Sequence, residues 1–162
     1  MIEKEIEKAR RLYAAGQNDL SLQKGITGDL TRYRRAIALT YEQMGRAGVI
    51  QACSACAADS GGSCCFHGVE DWYDDVLLLI NLLLGAALPE KREVPDGCFF
   101  VGGKGCRLVA RHAFCVNYLC PVLNASLDPV ERSRLLSISG VDLLCGWELE
   151  KTLRRWVREG VK

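Results

Sequence analysis

The chain has 162 residues, a length typical of one domain, and we predict a single domain over residues 1–162. Apolar residues make up 49% and charged residues 25%, which is a globular rather than a disordered composition. Lys and Arg total 21 against 20 Asp and Glu, and a net charge of +1 provides no basic face for nucleic acid. We therefore expect no nucleic-acid partner.

Apolar residues recur at helical spacing in the first part of the chain. This pattern predicts an amphipathic helix over residues 2–15, ending near Gly16, and a second helix over residues 29–44. Gly45 and Gly48 are expected to end the second helix. These helices make residues 2–48 a helical part that precedes the cysteine-rich middle of the chain.

A third helix is predicted over residues 70–84, with acidic residues in its first turns, where the helix dipole favours negative charge. Its apolar run, residues 76–84, is too short for a bilayer, which takes about 20 residues, and Asn81 interrupts it. The run is typical of a buried core helix, and we expect no membrane partner.

The last part of the chain is again helical. Asp128, Pro129 and Glu131 occupy the positions of a helix cap, a first residue and an acidic third residue. A final helix is predicted over residues 140–159. Its apolar stripe is expected to consist of Val141, Leu144, Cys145, Leu149, Leu153 and Trp156.

Two segments interrupt the helical pattern: residues 51–68, rich in Gly, Ser and Cys, and residues 85–121, rich in Gly, Pro and Cys. Strand signals are nearly absent, with residues 98–101 the one candidate. We predict a mainly α fold, a small helical domain with two irregular cysteine-rich loops organised around a metal site. The metal-binding core would span 51–121, between flanking helical parts at 2–48 and 128–160.

Nine cysteines are unusual for this length, and eight of them fall between Cys53 and Cys120. The sequence starts without a basic region followed by an apolar one, so no signal peptide is visible and a cytoplasmic location is expected. The odd count fits disulfide pairing poorly. Dense free thiols in a reducing compartment favour metal or redox chemistry.

The spacing of these cysteines is consistent with metal ligation. The first segment reads Cys-x2-Cys-x7-Cys-Cys and the second Cys-x7-Cys-x8-Cys-x4-Cys. A Cys-x2-Cys step points two sulfurs at one ion, and bound thiolates are stabilised by nearby N–H groups or cations. The predicted metal ligands are Cys53, Cys56, Cys64, Cys65, Cys98, Cys106, Cys115 and Cys120.

The two histidines, the ninth cysteine and three basic residues are each open to a structural as well as a metal-related interpretation. His67 and His112 are weaker ligand candidates because so many sulfurs are available. Cys145 follows a helical apolar period, where a free cysteine behaves as a small hydrophobe. The basic residues of the second segment either offset thiolate charge or are ordinary solvated side chains; they are Lys104, Arg107 and Arg111.

These motifs resemble the zinc- or iron-chelating domain family, the group that includes flagellin lysine N-methylase. The resemblance covers about residues 53–120. It is carried by Cys53, Cys56, Cys64, Cys65, Cys98, Cys106 and Cys115, with Arg111 in the place of the family's arginine. His112 stands where the family usually has proline, and Cys120 is an addition. The resemblance implies metal binding, and for some members an enzymatic role.

Zinc and an iron–sulfur cluster both remain open as the cofactor. A structural zinc site often uses two Cys-x2-Cys steps, and this chain has one. Adjacent Cys64 and Cys65 cannot easily share a tetrahedral ion, whereas an iron–sulfur cluster accepts looser spacings. The spacing therefore favours iron–sulfur slightly, and eight cysteines could also serve two sites.

The sequence contains no motif for a nucleotide or dinucleotide cofactor. The stretch Gly102 to Cys106 lacks the Ser or Thr of a phosphate loop. The first hypothesis is therefore a cysteine-rich metal-binding protein. Its partner is the metal ion or cluster, and the sequence does not identify a further partner. The alternative is an enzyme related to protein lysine N-methylation.

Overall fold

A computed structural model describes residues 2–58 and 64–160 of the chain. The fold is mainly helical, as predicted. The α-helices are α1 (Ile2–Gln17), α2 (Leu20–Arg46), α3 (Val49–Ala58), α4 (Asp75–Leu83), α5 (Ala113–Asn117), α6 (Pro121–Ser126) and α7 (Pro129–Arg158). A 3-10 turn (Val69–Trp72) precedes α4. The strands β1 (Val101–Gly102) and β2 (Gly105–Cys106) form an antiparallel ribbon that pairs Val101 with Cys106.

Aspartate side chains cap three of the helices at their first turns. Asp19 accepts a hydrogen bond from the Leu22 amide (3.0 Å), and Asp74 accepts one from the Leu77 amide (2.9 Å). Asp128 caps α7 in the same way, which confirms the helix start predicted there. From this cap α7 continues without a break to Arg158, so the predicted last helix is the second half of a longer one.

Helix α2 begins nine residues before the predicted start at 29. Gly25 and Gly28 each disfavour a helix by about 1 kcal/mol relative to alanine, which weakens the helical pattern in this stretch. The Asp19 cap and the burial of Leu22 and Ile26 offset that cost. Tertiary packing therefore extends α2 beyond its intrinsic propensity.

The main hydrophobic core surrounds α4. Residues 76–81 of α4 are all buried, as expected for a core helix. They pack against Ile2, Ile6 and Ala9 of α1, against Leu149 and Leu153 of α7, and against Phe99, Phe100, Val101, Leu108 and Ala110. Among the residues described, no helix has the length and apolar character needed to span a membrane.

The two cysteine segments are more ordered than predicted. Residues 51–58 belong to helix α3 rather than to an irregular loop. Phe100 and Ala110, in the second segment, are fully buried in the main core, so this segment has apolar packing of its own. No apolar period indicates this packing, because the buried side chains extend from an irregular backbone; they are Cys98, Phe99, Phe100, Val101, Leu108 and Ala110.

The apolar stripe predicted for the last helix is partly wrong. Leu149 and Leu153 are fully buried, but Val141 and Leu144 are more than half exposed. The face of α7 that meets α2 is instead lined by smaller and polar residues, including Ser139, Asp142 and Gly146. These permit close contact between two long helices at the expense of apolar burial.

Gly146 lies where α7 crosses Tyr33 of α2. A Cβ atom added at Gly146 would come within 2.9 Å of the Tyr33 ring and hydroxyl, whereas one added at Gly140 would meet nothing within 4 Å. Gly146→Ala should destabilise the fold by about 1–3 kcal/mol through overpacking. Gly140→Ala should stabilise it by up to about 1 kcal/mol through helix propensity. Thermal and chemical denaturation of both variants measure this difference, and equal effects would contradict the close contact.

Candidate metal centre

Backbone hydrogen bonds join the two cysteine segments directly. The Cys98 amide donates to the Cys65 carbonyl (2.7 Å), and the His67 amide donates to the Asp96 carbonyl (3.1 Å). Phe66 and Gly97 form an isolated antiparallel bridge between them. This pairing places the Cys64–Cys65 pair next to the start of the second segment, 33 residues further along the chain.

Helix α3 approaches the same region from the other side. It lies against the β1–β2 ribbon. The Ser54 hydroxyl donates to the Lys104 carbonyl at the tip of the ribbon (3.3 Å). Because Ser54 directly follows Cys53, this contact brings the start of the Cys-x2-Cys motif in α3 close to the ribbon that contains Cys106.

Several of the predicted ligands interact electrostatically with Cys65. Cys53 and Cys106 are exposed and Cys115 is half-buried. Partial withdrawal from water is the main cause that raises the pKa of Cys53 and Cys115, and that of Cys106 to about 11, and the charge of a Cys65 thiolate contributes to all three shifts. A hydrogen bond with Cys65 raises the pKa of Cys64, with burial adding to the shift. Thiols from α3, the Cys64–Cys65 pair, β2 and α5 therefore lie within electrostatic reach of one sulfur.

The remaining predicted ligands lie around this centre. Cys56 and Cys120 interact electrostatically with Cys53. Cys98 is buried in the main core, where burial raises its pKa to about 12, and it interacts with Cys106 and Cys115. Electrostatic interactions thus link all eight cysteines predicted as ligands, although within the described residues no three of them are arranged to hold a metal ion.

Cys145 lies outside this group. It packs against the main core, where the charged neighbours that influence its pKa belong to α2 and α7. After burial, which raises the pKa of its thiol, these neighbours are Arg32, Glu148, Asp142 and Asp29. This position agrees with a packing role rather than ligation.

Both histidines have other contacts. His67 is exposed, and its Nε2 atom lies 3.9 Å from a carboxylate oxygen of Glu70. His112 caps α5, with Nδ1 accepting a hydrogen bond from the Phe114 amide (3.2 Å). Its ring also contacts Trp72 and Tyr73.

Aromatic rings hold α5 in position. Trp72 contacts Phe66 and Phe114, and Phe114 stacks on Tyr118 at 4.7 Å between ring centroids. The buried Tyr73 hydroxyl accepts a hydrogen bond from the His112 amide (3.0 Å) and donates one to the Cys115 sulfur (3.6 Å). These contacts connect the 3-10 turn to α5, and Tyr73 orients the Cys115 thiol.

Asn81 holds the backbone just before Arg111. Its amide nitrogen donates to the carbonyls of Leu77 (3.0 Å) and Ala110 (2.8 Å). Its side-chain oxygen accepts from the amides of Val109 (2.9 Å) and Ala110 (3.0 Å). The sequence marked Asn81 only as an interruption of an apolar run, whereas the structure assigns it this positioning role.

The donor set fits a soft or borderline metal. Sulfur ligands select zinc or iron–sulfur clusters over magnesium or calcium. Burial and mutual repulsion disfavour the charged form of these thiols, and a bound cation would reverse both effects. Within residues 2–58 and 64–160, however, no three Cys, His, Asp or Glu side chains are arranged so that they could hold a metal ion.

Comparison of the chain with protein-family models, with curated protein sequences and with solved structures finds no match in any of the three.

Proposed function

We propose that this protein binds a metal centre, an iron–sulfur cluster or a zinc ion, through thiolates of its clustered cysteines. The observation that carries the proposal is the pairing of the two cysteine segments, in which the Cys98 amide donates to the Cys65 carbonyl (2.7 Å), and Cys65 also interacts electrostatically with thiols from three other elements of the fold. These elements are α3, β2 and α5, and they are far apart in sequence. Converging thiols on separate elements are the arrangement from which metal sites are built.

The first candidate ligand set consists of Cys53, Cys65, Cys106 and Cys115. Each of the other three interacts electrostatically with Cys65, and each comes from a different element. Of the others, Cys64 forms a hydrogen bond with Cys65 and comes from the same segment, Cys98 lies in the main core, and Cys56 and Cys120 interact with Cys53. These four cysteines are the less favoured candidates for ligands.

An iron–sulfur cluster is the favoured centre. Only Cys53 and Cys56 form a Cys-x2-Cys step, and the first candidate set takes a single cysteine from each element. A cluster is wider than a single ion and accepts thiolates from such distributed positions. When bound, a cluster would supply one-electron transfer, whereas a zinc ion held by four thiolates would be structural.

Anaerobic purification followed by elemental analysis tests this proposal. We expect iron and acid-labile sulfide in stoichiometric amounts, together with broad visible absorption from sulfur-to-iron charge transfer. Colourless protein with stoichiometric zinc would overturn the preference for iron–sulfur and leave a thiolate metal site. Protein that holds neither metal, and does not bind either on reconstitution under reducing conditions, would refute the proposed function.

A further inference from the structure

Tyr73 is packed so that its hydroxyl has a defined position beside α5. The residue is 2% exposed. Its ring makes a T-shaped contact with Phe100, at 4.9 Å between centroids, and lies 6.0 Å from the His112 ring. Its amide donates to the Glu70 carbonyl (3.1 Å) at the end of the 3-10 turn. Both the ring and the backbone of Tyr73 are therefore held in place.

The two hydrogen bonds of this hydroxyl direct its proton toward a cysteine. The His112 amide can only donate, and it donates to the hydroxyl oxygen of Tyr73 (3.0 Å). The hydroxyl in turn donates to the sulfur of Cys115 (3.6 Å). A phenol keeps its proton at neutral pH, so this donor is present under ordinary conditions. Once the thiol has lost its own proton, the sulfur can only accept, and Tyr73 must then be the donor.

The backbone of α5 holds the acceptor as firmly as the core holds the donor. The Val116 amide donates to the His112 carbonyl (3.2 Å), and the Phe114 amide donates to Nδ1 of His112 (3.2 Å). These bonds form the turn that contains Cys115. A thiol sulfur is a weak acceptor, whereas hydrogen bonds to an ionised acceptor are about twice as strong. The buried donor is therefore better satisfied by a thiolate at Cys115 than by a thiol.

We propose that Tyr73 is a positioning residue of the metal centre, whose buried hydroxyl donates a hydrogen bond to the ligating thiolate of Cys115. Hydrogen bonds to ligand atoms orient them and raise metal affinity, and hydrogen bonds to the sulfurs of a cluster change its reduction potential. Tyr73 itself does not bind the metal. This inference rests on the proposed function and deepens it by naming a residue that acts on the site through one of its candidate ligands.

Zinc and cobalt binding to the full-length chain test the inference, with Zn²⁺ or Co²⁺ alone as the probe and a chelator as competitor. Tyr73→Phe keeps the ring and removes the donor, and it should weaken zinc binding about 10-fold, the lower end of the usual effect of losing an outer-shell partner. In the cobalt-loaded protein, the sulfur-to-cobalt charge-transfer band should move to longer wavelength, because a sulfur without its hydrogen bond gives up electron density more easily.

A matched control and a second readout accompany this variant. Tyr118→Phe removes the hydroxyl of an exposed tyrosine at the end of α5 and should leave both the affinity and the band unchanged. For a chain that takes up a cluster but neither ion, the reduction potential replaces the band. Tyr73→Phe should then lower the potential, because reduction adds negative charge that a hydrogen bond to sulfur stabilises.

The outcomes separate the two proposals. Wild-type protein that binds neither ion and no cluster would refute the proposed function itself. Wild-type protein that binds, with no shift of the band or the potential in Tyr73→Phe, would overturn the role of Tyr73 alone. A loss of affinity without such a shift would also overturn it, because it would show a structural effect. If Tyr73→Phe does not fold, biosynthetic replacement of tyrosine by a ring-fluorinated tyrosine, a stronger donor, should shift the band or the potential in the opposite direction. An unshifted band or potential then decides against the inference.

Discussion

Replacement of Asn81 by alanine is expected to lower the free energy of unfolding by about 3 kcal/mol, since several buried polar groups would lose their partners. The side chain makes four hydrogen bonds, three of them to Val109 and Ala110. Ala110 is fully buried, so water has no access to replace these bonds. Chemical denaturation of the metal-free protein measures the loss without a contribution from bound metal.

Two further variants separate the causes of this loss. Asn81→Leu fills the space but restores no hydrogen bond, and we expect it to be nearly as unstable as the alanine variant. Asn117→Ala makes the same substitution at an exposed position in α5 and should change stability by no more than about 0.5 kcal/mol. A fully stable leucine variant would show that the cavity, and not the hydrogen bonding, determines the cost.

Cys65→Ala is expected to abolish most metal binding, because it removes the thiol around which the other candidate ligands are arranged. The three remaining thiolates of the first candidate set would leave one position of the ion or cluster open to water and to loss. Metal content per chain, measured after anaerobic purification, gives the result directly. Cys106→Ala, in the same set, should behave in the same way.

Cys145→Ala is the matched control, since it removes a thiol that packs against the core away from the cysteine group. It should retain full metal content and cost about 1 kcal/mol in stability through lost packing. The division of the nine cysteines would be wrong if the Cys145 variant lost its metal while the Cys65 and Cys106 variants kept theirs.

Local signals predicted the helical character of the ends of the chain and the burial of its apolar centre. The Asp128 cap and the apolar run of α4 are examples, because both depend on residues close together in sequence. The early start of α2 was missed because burial of Leu22 and Ile26 against distant segments overrides two glycines. The helical state of Cys53 and Cys56 was missed because Ala, Ser and Cys give no apolar period.

The sequence predicts which residues belong to the candidate site, but it does not predict how they are arranged in space. Spacing selected the eight cysteines, but the proximity of the two segments depends on the pairing of Cys65 with Cys98, a long-range backbone contact with no local pattern. The sequence likewise treated Lys104, Arg107 and Arg111 as equivalent. Only the fold distinguishes them, by leaving Lys104 exposed, engaging Arg107 with carbonyl oxygens, and placing the Arg111 guanidinium against the Met44 sulfur.

The contact between α2 and α7 has a consequence for how these helices are aligned. Long helices in contact can slide past each other by whole turns of about 5.4 Å, each turn presenting a similar surface. Gln43 bonds Glu131 at one end (2.7 Å), and Arg32 pairs with Glu148 near the other (3.1 Å). A shift by one turn would separate both pairs and drive Tyr33 away from the gap at Gly146. The polar and small residues of this interface therefore select one register, in the way that buried polar positions select the register of coiled coils.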